Sequence, residues 1–321
     1  MDYKINNMIC RPQKIDLFKP YTSRTMLEHG LVNQLNSFFG MILLAKENNK
    51  PLLVPDFTST IATLGGSGGH RLKFEKILDK LQLTHAMARH GVKLKFSGSQ
   101  LDKVSFKDGE AMLRKYQMLK QTNKLPANWK LIERDFYTNL KPAVNSKWGE
   151  LLEKYQNKLN GDYGALHPRI ELDWRIYCKQ PHRKDRATPS LKTTLGRILT
   201  KKDLDNNLNL FVSVGLDINK EDAQELNKDN LIILDERVSY KKYSNLSYTE
   251  ASLLSLFLCK DAKWFVGCSG STFSRLISKY RVYNNRGTTW YDNKINGLEL
   301  IKHGTIPRNQ ANANDTVGFF W

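Results

Sequence analysis

Four short apolar runs, separated by stretches long enough to hold a helix, constrain this chain more than any other feature. They cover residues 163–166, 208–214, 231–234 and 264–266. Runs this short suit buried strands, and the long spacers suit crossovers between parallel neighbours. Upstream, Pro51-Leu52-Leu53-Val54-Pro55 reads as another buried strand. Before it, Leu35, Phe38, Phe39, Ile42 and Leu43 fall at helical spacing. Further helices are expected around 74–83 and 110–121. The expectation is an α/β protein in two parts, 1–155 and 156–321, each long enough to bury a core. They meet within a Lys/Asn-rich stretch at 140–162 that ends Asn160-Gly161-Asp162.

In open α/β sheets, ligands gather outside the carboxyl ends of the strands. The run at 163–166 leads straight into His167-Pro168-Arg169-Ile170-Glu171-Leu172-Asp173-Trp174. Strand alternation would send His167, Arg169, Glu171 and Asp173 to one face. A guanidinium there suits a nucleotide diphosphate, because its planar fork binds phosphate oxygens in pairs and keeps its charge. An Arg–Asp pair on an exposed turn would have the same spacing.

A second segment supplies what an anion site still needs. In Lys263-Trp264-Phe265-Val266-Gly267-Cys268-Ser269-Gly270-Ser271-Thr272-Phe273-Ser274, a strand-type run meets a turn of small residues, then Phe273, Leu276, Ile277 and Tyr280 at helical spacing. A helix opened by Ser271 and Thr272 presents unpaired amides and the positive end of its dipole to phosphate. Plain capping by Ser271 accounts for the same residues. A third segment, Glu28-His29-Gly30-Leu31-Val32-Asn33-Gln34, is a loop entering the first helix, where Asn33 and Gln34 can act as caps.

Together the three segments resemble the O-fucosyltransferase superfamily, most closely its members that modify EGF-like repeats. That family has a Gly-containing loop with Asn-Gln, a helix ending near Ala-Lys and a Leu-x-x-Pro strand, matched at Asn33-Gln34, Ala45-Lys46 and 52–55. Its His-x-Arg-x-x-x-Asp-Trp is matched at His167, Arg169, Asp173 and Trp174. Its Phe-Ile-Gly and Ser-Ser/Thr-Phe are matched at Phe265-Val266-Gly267 and Ser271-Thr272-Phe273.

The resemblance implies a GT-B glycosyltransferase: two Rossmann-like domains facing across a cleft, the N-terminal one on the acceptor side and the C-terminal one holding the nucleotide sugar. The activity implied is inverting, metal-independent transfer of fucose from GDP-fucose to a hydroxyl of a protein or glycan, with no cofactor. Another deoxyhexose nucleotide, such as a rhamnose donor, is the close alternative. By similarity Arg169 holds the β-phosphate, and His167, Asp173, Ser271, Thr272 and Phe273 surround the donor. Asn33 faces sugar and acceptor, and Glu250 meets ribose or base. Ser247-Tyr248-Thr249-Glu250 also reads as the first turn of a helix.

Inversion needs a base for the acceptor proton. Some relatives place a Glu three residues before the Asn, where this chain has Gly30. Glu28 and His29 are the nearby candidates, with Glu171 and Asp56 beyond them. For a metal, Asp203-Leu204-Asp205 offers two carboxylates, which make only part of a coordination shell. The seven histidines form no ligand-spaced cluster.

Fifty basic against 32 acidic residues give a formal charge of +18. That raises nucleic-acid binding as a distant alternative, although no nucleic-acid motif is present. The densest basic patches are His182-Arg183-Lys184 with Arg186, then Lys201-Lys202 and Lys241-Lys242, and such runs usually face solvent. A basic surface suits an acidic acceptor. The four cysteines form no Cys-x-x-Cys pair, and neither a signal-peptide core nor a membrane span is visible, so a cytoplasmic, reducing setting is expected. Gly65-Gly66-Ser67-Gly68-Gly69-His70 lacks the ending of a phosphate loop and reads as a loop near the cleft. The tail from Pro307 is polar, closing on Gly318-Phe319-Phe320-Trp321.

Overall fold

The computed structural model describes residues 30–59, 71–97, 106–171, 175, 176, 178, 179, 189–202, 204, 209–215, 220–226, 231–235, 246–268, 270–293 and 297–300. Glu28, His29, Asp173, Trp174, Asp203, Asp205, the 65–70 loop, the patches at 182–186 and 241–242, and the tail lie outside them.

The four apolar runs become β5 (Tyr163–Leu166), β6 (Asn209–Val214), β7 (Leu231–Asp235) and β8 (Trp264–Cys268), joined by β9 (Thr289–Asn293) and β10 (Gly297–Leu300). They form one six-stranded sheet in the order β10-β9-β8-β5-β6-β7, parallel except for the β10–β9 pair. Alternation divides the side chains between two apolar layers. Tyr163, Ala165, Phe211 and Phe265 enter one, and Leu166, Val212, Trp264 and Val266 the other. Cross-strand packing is close enough that a Cβ at Gly164 would lie 2.1 Å from the Trp264 ring.

The order of the strands creates the crevice. From β5 the chain moves outward through β6 to β7, then returns to β8 on the other side of β5. The helix after β5, α7 (Leu191–Leu199), packs in the second layer, whereas the helices flanking β8, α9 (Tyr248–Asp261) and α10 (Thr272–Tyr283), pack in the first. Helix α8 (Lys220–Leu226), between β6 and β7, sends Leu226 into the second layer too. The connections leaving β5 and β8 therefore diverge, and ligands in open α/β sheets bind at such a switch point.

The first half is mostly helical: α1 (Leu31–Glu47), α2 (Phe74–Ile77), α3 (Lys80–Ala88), α4 (Phe106–Gln121), α5 (Ala127–Thr138) and α6 (Lys147–Leu159). Its strands are two residues each, paired as parallel β1 (Leu52–Leu53) with β4 (Leu94–Lys95) and antiparallel β2 (Phe57–Thr58) with β3 (Arg71–Leu72). The helix expected over 74–83 is broken in two, because the Asp79 side chain accepts from the Leu81 and Gln82 amides and starts α3 anew. Helices α1 and α4 cross backbone to backbone: a Cβ on Gly40 would lie 2.0 Å from the Gly109 carbonyl oxygen. Phe38, Phe39, Phe74 and Phe136 fill this half, in an apolar cluster that continues through α9 and α10 to the sheet. Helix α6 runs across residues 155 and 156 and stops at Asn160, which is left-handed with φ 52°.

Among the described residues no helix is long and apolar enough to cross a membrane.

Candidate functional site

The carboxyl end of β5 carries the segment picked out by sequence. The ladder ends at His167, whose amide donates to the Val266 carbonyl at 2.9 Å. Pro168 has no N–H with which to continue it. The chain then turns at Arg169, which holds a left-handed φ of 49°. Strand alternation therefore does not run on to Asp173, as the sequence reading assumed. A non-glycine residue in that conformation is held there by its surroundings, and such strain concentrates at functional sites.

Those surroundings are visible. Ile170 is fully buried, and its carbonyl accepts from Arg175 Nε at 3.1 Å. Arg175 also pairs with buried Asp222 of α8, whose other oxygen accepts the Leu191 amide at the start of α7. Glu171 is 2% exposed. Its Oε1 accepts the Gly215 amide at the end of β6 at 2.7 Å, while its Oε2 lies 3.3 Å from Nη1 of Arg169. The Arg169 side chain is 23% exposed, so the guanidinium stands at the boundary between protein and crevice.

His167 joins this strand end to the next element. It is buried, its Nδ1 lies 2.7 Å from Ser274 Oγ, and its ring is 4.9 Å from that of Phe273. Ser274 Oγ already accepts the Cys268 amide at 3.0 Å. The donor in the Oγ–Nδ1 contact follows from the imidazole tautomer, since the hydroxyl oxygen can both accept and donate. Burial, together with the Arg169 charge, holds His167 well below the usual imidazole range, so it is neutral. Burial pushes the Cys268 thiol up to about 12, against the opposing pull of the Gly270 backbone and the Arg169 charge. The field of Arg169 thus reaches both strand ends flanking the switch point.

Ser271 caps α10 by accepting the Ser274 amide. Its hydroxyl is engaged in that bond, as the bland reading of the segment anticipated. Thr272 and Phe273, both half-buried, follow in the first turn, where backbone amides have no intrahelical acceptor. A Cβ on Gly267 would come within 2.8 Å of Ser274, so only glycine lets β8 approach α10 this closely.

Across the crevice, α1 begins at Leu31 behind Gly30, with no side-chain cap. Asn33 and Gln34 sit inside the first turn and do not cap it. Gln34 is buried and brackets Thr58, donating to its carbonyl at 3.1 Å and accepting its amide at 2.9 Å. Thr249, in the first turn of α9, donates to the same carbonyl at 2.6 Å. Because α9 runs from the carboxyl edge of the sheet to its amino edge, this three-way bond sets the start of α1 at the level of the crevice. Asn33, half-buried beside Gln34, has a side chain with no hydrogen-bond partner among the described residues.

Other candidates are engaged elsewhere. Glu250 closes a capping box: its Oε2 accepts from the Ser247 amide at 2.8 Å and the Ser247 hydroxyl at 2.7 Å. Asp56 is ion-paired with Arg71. Among the described residues, no group of three or more His, Cys, Asp or Glu is placed to hold a metal. Sequence reasoning gave no role to Gly215 or Ser274; the repeated Ser at three-residue spacing, Ser271 and Ser274, was the available signal for the latter.

Comparison with known proteins bears on the same segments. Residues 82–284 match the family described as GDP-fucose protein O-fucosyltransferase. O-fucosyltransferase 23 of Arabidopsis thaliana is 32% identical over 133 residues, covering 38% of this chain and 30% of that protein, so the match spans less than a third of the relative's length. Among solved structures, POFUT1 in complex with GDP superposes with a TM-score of 0.52 at 15% identity, covering 84% of this chain and 99% of that one. Fucosyltransferase NodZ from Bradyrhizobium gives 0.50 at 11% identity, with 87% and 97% covered. At these identities the likeness is one of fold, and the fold is the α/β GT-B architecture expected from the sequence.

Proposed function

Since this chain belongs to the GDP-fucose protein O-fucosyltransferase family, we propose that it is a glycosyltransferase that moves fucose from GDP-fucose to a hydroxyl of a protein or glycan, with inversion and without a metal. The observation that carries this reading is the 2.7 Å contact of His167 with Ser274. It couples the strand end bearing Arg169 to the first turn of α10, so a fixed cation and a helix N-terminus face one crevice. That pairing suits a diphosphate leaving group.

In the proposed reaction the acceptor oxygen attacks the anomeric carbon as the bond to the β-phosphate oxygen breaks. Arg169 and the Thr272 and Phe273 amides stabilise the charge gathering on GDP, the role a divalent ion plays elsewhere. His167 stays neutral and fixes the Arg169 turn. Asn33 orients the sugar or the acceptor. For the base, Glu171 is occupied by Gly215 and Arg169, and Asp56 by Arg71. That leaves Glu28 and His29, just ahead of Gly30. The formal charge of +18 favours an acidic acceptor.

The test is calorimetric titration with GDP, UDP and a DNA oligomer in EDTA, alongside Arg169→Ala. GDP binding that survives EDTA and is lost in the variant supports the reading. Binding of the oligomer alone, weakening steeply with salt, would replace it with a nucleic-acid function.

A further inference from the structure

Glu171 is a buried carboxylate with only one oxygen committed to a hydrogen bond. Oε1 takes the Gly215 amide, whereas Oε2, shielded from solvent, has no hydrogen bond and its nearest charge is Nη1 of Arg169 at 3.3 Å. A buried charge is costly unless something holds it in place and balances it. Here the backbone at the end of β6 holds it and Arg169 balances it. Gly215 is part of the arrangement: a Cβ there would sit 3.1 Å from Oε1 and 3.3 Å from Cγ of Glu171.

We propose that Glu171 is a positioning residue for glycosyl transfer, an anchored carboxylate that fixes the direction of the Arg169 guanidinium at the leaving diphosphate. The inference rests on the donor reading above. Two effects of the carboxylate oppose each other, and they separate in experiment. As a negative charge near a diphosphate, it weakens ground-state binding of GDP. As an anchor, it keeps the guanidinium where charge develops during bond cleavage, and misplacing a catalytic group by an ångström costs up to ~10²-fold in rate. Without Glu171, the Arg169 guanidinium would still find a bound phosphate but would lose one of the contacts that hold it against the departing oxygen. Glu171 therefore raises kcat without adding to nucleotide affinity.

The experiment uses the whole chain with two probes: GDP for binding, and GDP-fucose with water as acceptor for turnover, read as GDP released. Glu171→Gln keeps an oxygen for the Gly215 amide and removes the charge. Expected are a roughly tenfold fall in turnover and a GDP affinity that is unchanged or tighter. Gly215→Ala crowds the carboxylate without altering any charge, and should give a smaller loss in the same direction. Turnover unchanged in Glu171→Gln overturns the proposal. So does a loss of GDP affinity matching the loss of turnover, which would make Glu171 a structural or nucleotide-contacting group. Wild-type protein that neither binds GDP nor releases it from GDP-fucose would sink the donor reading itself. GDP binding that depends on Arg169, with Glu171→Gln indistinguishable from wild type, would remove only the positioning role.

Discussion

Lys279 of α10 donates a hydrogen bond to Oε1 of Glu133 on α5, with the two side chains only 3% and 1% exposed. Tyr283 donates to the other carboxylate oxygen, and the Lys279 ammonium lies 4.7 Å from the centre of the Tyr137 ring. Burial pushes Lys279 down to about 7 despite its partner. Burial also works to raise Glu133, but Lys279, Lys120 and the Tyr283 hydroxyl leave it below its usual range. The helix whose first turn faces the crevice is thereby pinned, two turns later, to the N-terminal half.

Breaking this pair from one side strands a buried carboxylate. Lys279→Met should cost about 3–5 kcal/mol in chemical denaturation, whereas Lys279→Met with Glu133→Leu should recover most of it. A double variant as unstable as the single one would mean that packing, not charge, is responsible.

His167 makes stability sensitive to mild acid. The unfolded imidazole takes up a proton near pH ~6.5, and the folded one only well below that. Between those values the unfolded chain binds more protons, so stability declines as pH falls from about 6.5. Thermal midpoints followed from neutral to mildly acid pH should show a decline that His167→Asn flattens. Parallel slopes in the two proteins would count against a neutral His167.

Arg169 should be the most costly single loss in the crevice. Arg169→Ala is expected to reduce turnover of GDP-fucose by roughly 10²–10³-fold, as when one preorganised donor is removed from an oxyanion site. The variant also leaves the buried Glu171 carboxylate without the charge that balances it, so the melting temperature should fall as well. Activity within a few-fold of wild type would dismiss the guanidinium as the diphosphate clamp.

Gly267→Ala tests the contact between β8 and α10. With Ser274 and Phe265 both 2.8 Å from the added methyl carbon, the helix has to shift or the strand has to bend. Overpacking of this kind costs typically ~1–3 kcal/mol. GDP affinity should drop with stability, because the Ser274–His167 bond is disturbed too. An unchanged melting curve would show that the two elements are free to move apart.

The base is tested by replacing its candidates singly. One of Glu28→Gln and His29→Ala should lose roughly 10²–10⁴-fold in transfer to an acceptor while GDP still binds. Full activity in both would place the base elsewhere.

What could be read from the chain alone was local. Short apolar runs between helix-length spacers announced the parallel sheet, because burial on both faces leaves a pattern in consecutive residues. Ser271 as a cap and the Ser247–Glu250 box were also legible, since such bonds join residues three apart. Pairings between distant residues left no such trace. Nothing near Glu171 indicates that its partner is the Gly215 amide, 44 positions on, or that Ser274 bonds His167 across 107. Nor could the sequence distinguish Arg169, at the crevice edge, from Arg281, fully buried and bonded to the carbonyls of Lys260, Ala262, Lys263 and Thr288. Periodicity determined which segments are strands and helices. Only the order in which the strands assemble, with β8 returning beside β5, decided which residues share a crevice, because that order depends on packing between whole elements and not on neighbours along the chain.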